Sequence, residues 1–195
     1  MTALSPAASA ITRLPLGHDA PEVRLLDARL AGLPVDVLRT WARSQRTPDS
    51  ETFVTRSYCY PYALVAWHTL PVGIDIERVE WRSTSFADSI STPSERARSH
   101  PASSYVGTFE RRASDEGSPR DRDRYATSLW SSKEALAKAL GDPLHYDPRR
   151  LESPIAWPEG RCGPWRASEL PAPAGHVAWI CWQAHNEPGE PENHI

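Results

Sequence analysis

The clearest pattern in the chain is the alternation of apolar and other residues over positions 72–77, which read V-G-I-D-I-E. Side chains alternate across a β-strand, so the apolar set faces a core while Gly73, Asp75 and Glu77 share the other face. Gly73 then leaves room for a bulky ligand. Neighbouring carboxylates repel one another unless a cation intervenes, and carboxylate ligands suit Mg²⁺. The pattern predicts a strand with a metal-binding face; the alternative is an edge strand whose acids face solvent.

A helical period governs residues 129–140, where Trp130, Glu134 and Lys138 are spaced four residues apart and form one stripe. A neighbouring apolar stripe, predicted to pack inward, comprises Leu129, Leu136 and Leu140. Glu134 and Lys138 alone would suit an ordinary stabilising pair on a solvated face. A tryptophan on the same stripe indicates instead that the stripe is at least partly covered.

The ends of this helix are predicted from local signals. Ser131 or Ser132 is the expected N-cap, and Gly141 followed by Asp142-Pro143 is a stop signal. The preceding residues, 114–124, are nearly all polar and predict a loop.

The rest of the pattern predicts an α+β chain with several short strands. Residues 1–20 are expected to be irregular or partly a strand, and 23–30 a strand or a short helix. An amphipathic helix is predicted over 35–44. Further strands are expected at 53–54, 62–68, 72–79, 161–166 and 175–182, and residues 188–195 read as a disordered tail.

Composition narrows the class of protein. The 195 residues carry a net charge of −3, so no strong basic field argues for nucleic acid. Three widely spaced cysteines form neither a disulfide framework nor a zinc pattern, which suits the reducing cytoplasm. No apolar run reaches the ~20 residues that span a membrane. The first eleven residues lack the basic and apolar regions of a signal peptide.

Taken together, G-I-D-I-E at 73–77 and W-S-x-K-E-A-x-x-K at 130–138 resemble the signature of the 4′-phosphopantetheinyl transferase superfamily. The resemblance covers residues 72–77 and 129–141, with weaker agreement over 53–81. It implies Mg²⁺-dependent transfer of the phosphopantetheine arm of coenzyme A to a serine of an apo acyl, peptidyl or aryl carrier protein, with release of 3′,5′-ADP. It also implies a monomer of two similar α+β halves, related by pseudo-twofold symmetry, with the active site between them.

The resemblance also implies roles for individual residues. Asp75, Glu77 and Glu134 are assigned to the Mg²⁺ site, and Lys133 and Lys138 to the coenzyme A phosphates. Glu134 is in addition the candidate general base for the carrier serine, and Lys138 the catalytic cation on the leaving side.

The chain departs from the family pattern in two places. Where many members carry Ser-His-Ser to hold the 3′-phosphate, this chain keeps Ser57 but has Tyr58 in place of the histidine, and Arg56 is the candidate replacement cation. The second departure is a long polar segment between the two motifs. The resulting division is an N-terminal half at 1–82, an insert at 83–128, a C-terminal half at 129–187 and a tail at 188–195.

Within the insert, residues 92–96 resemble a short helix start found after the first motif. The insert also carries arginines that suit either a solvated linker or contact with an acidic carrier protein, namely Arg111, Arg112, Arg120, Arg122 and Arg124.

Two other functions stay open. A non-catalytic relative that binds coenzyme A or a carrier protein fits the change at Tyr58 and the long insert. A different Mg²⁺-dependent diphosphate enzyme is less well supported, because no glycine-rich phosphate loop is present. The natural acceptor among fatty-acid, polyketide and nonribosomal-peptide carriers is not specified by the sequence.

Overall fold

The computed structural model describes residues 10–17, 19–45, 52–99, 118–142 and 145–185. In chain order its elements are β1 Ile11–Leu14, β2 Glu22–Asp27, α1 Val35–Ser44, β3 Phe53–Cys59, β4 Tyr62–His68, β5 Val72–Arg78, α2 Thr84–Ile90, α3 Pro93–Ser99, α4 Pro119–Ala139, β6 Arg161–Cys162, β7 Trp165–Glu169 and β8 His176–Gln183. Three short 3₁₀ turns lie between α4 and β6, at Pro148–Arg150, Pro154–Ala156 and Pro158–Gly160.

The strands form two four-stranded antiparallel sheets, with the orders β1-β2-β4-β3 and β5-β8-β7-β6. One apolar cluster joins the sheets and includes Leu64 of β4, Ile74 of β5 and Ile180 of β8. Helix α1 covers the other face of the first sheet, and α4 covers the other face of the second. The α+β class predicted from the sequence is therefore confirmed.

The two sheets share one chain order. When α2, α3 and the two-residue β6 are set aside, the series β2-α1-β3-β4 and β5-α4-β7-β8 are each strand, helix, strand, strand. In both, the third strand lies between the other two. The similar triplets at 65–67 and 177–179 lie on β4 and β8, the corresponding third strands. Shared order is what two related halves require, although the symmetry axis and the domain boundaries stay predictions.

Several predicted elements are confirmed and one is redrawn. Helix α1 and strand β4 have the predicted bounds, and residues 23–30 contain a strand rather than a helix. The segment predicted as one strand at 161–166 is divided by a tight turn between β6 and β7. The predicted tail at 188–195 lies outside the described residues.

Helix α4 begins at Pro119, ten residues before the predicted start. Its N-cap is Ser118, which forms a capping box with Asp121, whereas the predicted caps Ser131 and Ser132 are fully buried inside the helix. The predicted loop at 114–124 was wrong for residues 119–124, which form the first turns of α4; these turns are mostly exposed, so their sequence needs no apolar stripe. Residues 114–117 lie outside the described residues.

The stop signal of α4 is confirmed. Gly141 has a φ of 84°, in the left-handed region, and Asp142 N–H donates to the Ala137 carbonyl at 3.1 Å. This is the hydrogen bond of a Schellman motif, which ends an α-helix. Leu140, predicted to pack inward, is instead 50% exposed, because it stands at the last residue before the turn.

The predicted helix start at 92–96 is confirmed as α3. Thr92 and Glu95 form reciprocal bonds, with Thr92 N–H donating to Glu95 Oε2 at 2.7 Å and Glu95 N–H to Thr92 Oγ1 at 3.2 Å. Within the part of the chain that the structure describes, none of the helices is both long and apolar enough to cross a membrane.

Candidate active site

Asp75 lies at the middle of β5 and is 3% exposed. Strand β8 pairs with one edge of β5, and β3 approaches the other. From β3, Ser57 Oγ donates to Asp75 Oδ1 at 2.8 Å and accepts from Ile76 N–H at 3.2 Å. The carboxylate is thus fixed at the junction of the two sheets.

The polar stripe of α4 faces the acids of β5, as the sequence predicted. Lys138 Nζ donates to Asp75 Oδ1 at 2.7 Å and to the Ile74 carbonyl at 3.1 Å. Two helical turns earlier, Trp130 Nε1 donates to Glu77 Oε1 at 3.3 Å. The helix and the strand therefore run in opposite directions, and Glu134 lies between these two contacts on the same stripe.

Gly73 serves the close approach of α4 rather than a ligand. A Cβ atom at this position would lie 1.9 Å from the Ala135 carbonyl oxygen and 2.4 Å from Ala139 N. The prediction that Gly73 leaves space for a bulky ligand was wrong, because the helix backbone takes that space.

Glu134 has a partner that the sequence did not indicate. The Tyr146 hydroxyl donates to Glu134 Oε1 at 2.8 Å. Burial raises the pKa of Glu134 above its ordinary value, and the charge of Asp75 adds to the rise, whereas the Tyr146 hydrogen bond and the charge of Lys138 oppose it. Tyr146 stands in an irregular segment after α4 with no motif around it, so only its position in space reveals it.

The three acids interact electrostatically. Burial, reinforced by the charge of Asp75, raises the pKa of Glu77 to about 7, against the lowering effects of Trp130, Arg82 and Lys138. The charge of Asp75 also raises the pKa of Glu134. The charge of Asp75 therefore acts on both of the other acids, in addition to the larger effect of burial.

The acids of this site offer one open oxygen to a metal ion. Asp75 Oδ2 is buried and accepts no hydrogen bond from any described residue. A free carboxylate oxygen beside two acids with raised pKa values suits a hard cation. However, no three His, Cys, Asp or Glu side chains in the described segments are gathered into a ready-made metal cage. The three-carboxylate site is thus not preformed, and any ion here needs further ligands from substrate or water.

Lys133, predicted to bind the coenzyme A phosphates, lies in the interior instead. Its side chain is 0% exposed, and its ammonium forms an ion pair with Glu95 at 2.6 Å. Its other protons go to the Ile90 carbonyl at 2.6 Å and the Pro148 carbonyl at 2.8 Å. Through these contacts Lys133 holds α3 and the turn at Pro148–Arg150 against α4. Its charge is therefore not available to a ligand.

The three residues predicted to hold the 3′-phosphate are not brought together. Ser57 faces Asp75, whereas its neighbours on β3 point to the α1 side of the sheet. There Arg56 Nε donates to the Ala42 carbonyl at 3.3 Å, and the Tyr58 ring lies under the Arg39 guanidinium at 5.3 Å. Strand alternation explains this split, since adjacent residues point to opposite faces.

A cavity of about 1040 Å³ lies beyond the Trp130 end of the acid site. Helices α2, α3 and α4 line it, and its walls carry both arginines and acids. The charged lining residues are Arg82, Arg96, Arg98, Arg122, Asp88, Glu95, Asp121 and Asp123. Neither Asp75 nor Glu134 lines this cavity, so its volume is separate from the chemistry of the acids.

Comparison with known proteins agrees with this geometry. A sequence model of the 4′-phosphopantetheinyl transferase superfamily matches residues 71–178, which include β5, α4 and β7. No curated protein gave a significant match to the chain. The matched region is more than half of the chain and contains every acid and lysine of the site described above. The chain therefore belongs to the 4′-phosphopantetheinyl transferase superfamily, a transferase superfamily.

Proposed function

We propose that the protein transfers the 4′-phosphopantetheine arm of coenzyme A to a serine of an apo carrier protein. The observation that carries the proposal is the single face on which α4 brings Lys138 and Glu134 to the acids of β5. The same proposal has the chain acting as a monomer in the cytoplasm, with Mg²⁺ as its cofactor.

The residue types suit the reaction. The serine oxygen forms a bond to the β-phosphorus of coenzyme A, the bond from that phosphorus to the bridging oxygen breaks, and 3′,5′-ADP leaves. Glu134 accepts the serine proton, which its raised pKa favours. Lys138 offers its point charge to the diphosphate on the leaving side.

Asp75, through its free Oδ2, is the first residue that we assign to Mg²⁺, with Glu77 and Glu134 beside it. Bound there, the ion would neutralise charge on the diphosphate oxygens. Lys138 holds the other oxygen of Asp75, which leaves Oδ2 for the ion. Binding would also offset the charge of Asp75, which adds to the effect of burial in raising the pKa of Glu77.

The proposal is tested by incubating the protein with coenzyme A, Mg²⁺ and several apo carrier proteins, and by weighing each carrier with mass spectrometry. We expect a gain equal to one phosphopantetheine on the carrier. Asp75→Ala and Glu134→Ala should abolish it. Glu80→Ala is the matched control, because Glu80 is an exposed acid just beyond β5.

A second function, binding of coenzyme A without transfer, is favoured by one observation: Lys138 already neutralises Asp75 Oδ1. The same assay separates the two functions. Binding of coenzyme A by the unmodified protein, measured by calorimetry, together with no mass gain on any carrier, would favour the non-catalytic relative.

A further inference from the structure

Tyr146 lies outside both family motifs, yet it forms a hydrogen bond with Glu134 of the second motif. Its hydroxyl donates to Glu134 Oε1 at 2.8 Å, across twelve positions of sequence. Among the described residues neither the hydroxyl nor the carboxylate has another hydrogen-bond partner, so Glu134 Oε2 is left for a substrate group.

The segment that carries Tyr146 is anchored on its C-terminal side. Two residues after Tyr146, the Pro148 carbonyl accepts from Lys133 Nζ at 2.8 Å. Because Lys133 precedes Glu134 on α4, one helical turn holds both the acid and the segment that approaches it.

The next residue stiffens the same segment. Asp147 Oδ1 accepts from Arg149 N–H at 3.0 Å and so caps the turn at Pro148–Arg150. The segment that carries the half-buried Tyr146 side chain is therefore fixed just after the tyrosine by the Asp147 cap and by the bond from Lys133 to Pro148.

The hydroxyl is a stable donor. A tyrosine phenol has an ordinary pKa of about 10, so it keeps its proton in neutral solution, and here it donates that proton to Glu134 Oε1. A phenol that keeps its proton donates one hydrogen bond and accepts no proton from the reaction.

We propose that Tyr146 is a positioning residue, which holds Glu134 by Oε1 and so presents Oε2 to the serine of the carrier protein. The inference rests on the proposed function and deepens it, since it explains how a flexible glutamate is kept in one orientation. Tyr146 acts through Glu134 and touches neither substrate.

Tyr146→Phe tests the inference, because it removes only the hydroxyl and keeps the ring. We expect kcat for carrier modification to fall about 10- to 100-fold, the range for loss of a hydrogen bond to a charged group. The KM for coenzyme A should stay within about twofold, since the ring and the phosphate contacts are unchanged. Tyr125→Phe is the matched control, as Tyr125 is an exposed tyrosine of α4.

A thermal-melting cycle of Tyr146→Phe, Glu134→Ala and the double variant tests the contact without using activity. Non-additive melting shifts support the contact, and additive shifts overturn it, whether or not the wild type transfers phosphopantetheine. An unchanged kcat in Tyr146→Phe, or equal losses of kcat, coenzyme A affinity and melting temperature, would overturn the positioning role. A wild-type protein that modifies no carrier would overturn the proposed function itself. That result is distinct from the outcomes of the melting cycle and of the Tyr146→Phe kinetics.

Discussion

At the scale of single residues, the site is organised around the two oxygens of Asp75. Oδ1 accepts from Ser57 and Lys138, while Oδ2 is buried without a partner among the described residues. The two oxygens of Asp75 therefore differ in role: Oδ1 fixes the side chain, and Oδ2 stays available for a cation. Ser57 therefore acts here on the acid, in place of the phosphate contact that the sequence resemblance implied.

The two lysines of the motif, which are the only lysines in the chain, should differ sharply in amine labelling. The Lys138 side chain is 21% exposed, whereas that of Lys133 is 0% exposed. We expect mass spectrometry of labelled peptides to find Lys138 modified and Lys133 unmodified until the protein unfolds. Coenzyme A with Mg²⁺ should protect Lys138, because its ammonium then lies against the diphosphate. Equal labelling of both lysines in the native protein would contradict this account.

Glu77 should make the stability of the free protein depend on pH. Its folded pKa of about 7 lies above the ordinary value near 4.5, so its contribution is full below about pH 4.5 and is lost as the pH rises through 7. As the pH rises from 5 to 8, we expect the urea midpoint of the wild type to decrease more than that of Glu77→Gln. Parallel curves for the two proteins would show that Glu77 titrates normally.

At the scale of elements, the site depends on how closely α4 lies along β5. Gly73 permits backbone contact between the two elements, and the contact brings the stripe of α4 to the acids of the strand. The N-terminal part of α4, which begins at Pro119, extends beyond the site and lines the cavity together with α2.

Gly73→Ala should separate α4 from β5. The new methyl would overlap the Ala135 carbonyl, and neither backbone can yield cheaply, so we expect a loss of at least about 1–3 kcal/mol in the free energy of unfolding. Carrier modification should fall with it. Gly141→Ala is the control: its φ of 84° costs only about 1–2 kcal/mol, and nothing lies within 4 Å of the added Cβ. A Gly73→Ala protein as stable and active as the wild type would refute the close packing.

Lys133→Met should act on stability rather than on coenzyme A binding. It removes the cation that pairs with the buried Glu95 carboxylate at 2.6 Å, and removal of one partner of a buried pair costs about 3–5 kcal/mol. The double variant Lys133→Met/Glu95→Gln should recover part of that loss, as measured by urea unfolding. A large rise in the KM for coenzyme A at unchanged stability would instead restore the role that the sequence suggested.

At the scale of the whole molecule, the sequence predicted the parts that depend on local periodicity. The alternation at 72–77 and the four-residue spacing at 130–138 led to β5 and to the C-terminal half of α4. That the two elements share a site was implied by the family resemblance. The signals that failed were those decided by distant neighbours. Lys133 is buried because Glu95 pairs with it, and the space beside Gly73 is taken by the α4 backbone. Glu134 is held by a hydrogen bond from Tyr146.

The charge of the molecule should matter for carrier recognition. Arg120 and Arg122 are exposed on α4 and form no ion pair with another described residue, whereas Arg124 is tied to Glu169. Arg111 and Arg112 lie outside the described residues. We expect Arg120→Glu/Arg122→Glu to raise the KM for an acidic carrier and leave that for coenzyme A unchanged, because complementary charge steers docking. Arg161→Glu, an exposed control on β6, should change neither. An unaltered carrier KM would place the docking surface elsewhere.

Asp75 and Glu134 should serve one transfer reaction. The decisive experiment measures, in the same reaction, the 3′,5′-ADP released and the carrier modified. We expect equal amounts of both products with the wild type and Glu80→Ala, and neither product with Asp75→Ala or Glu134→Ala. Undiminished transfer by Asp75→Ala or Glu134→Ala would contradict it, as would release of 3′,5′-ADP without modified carrier.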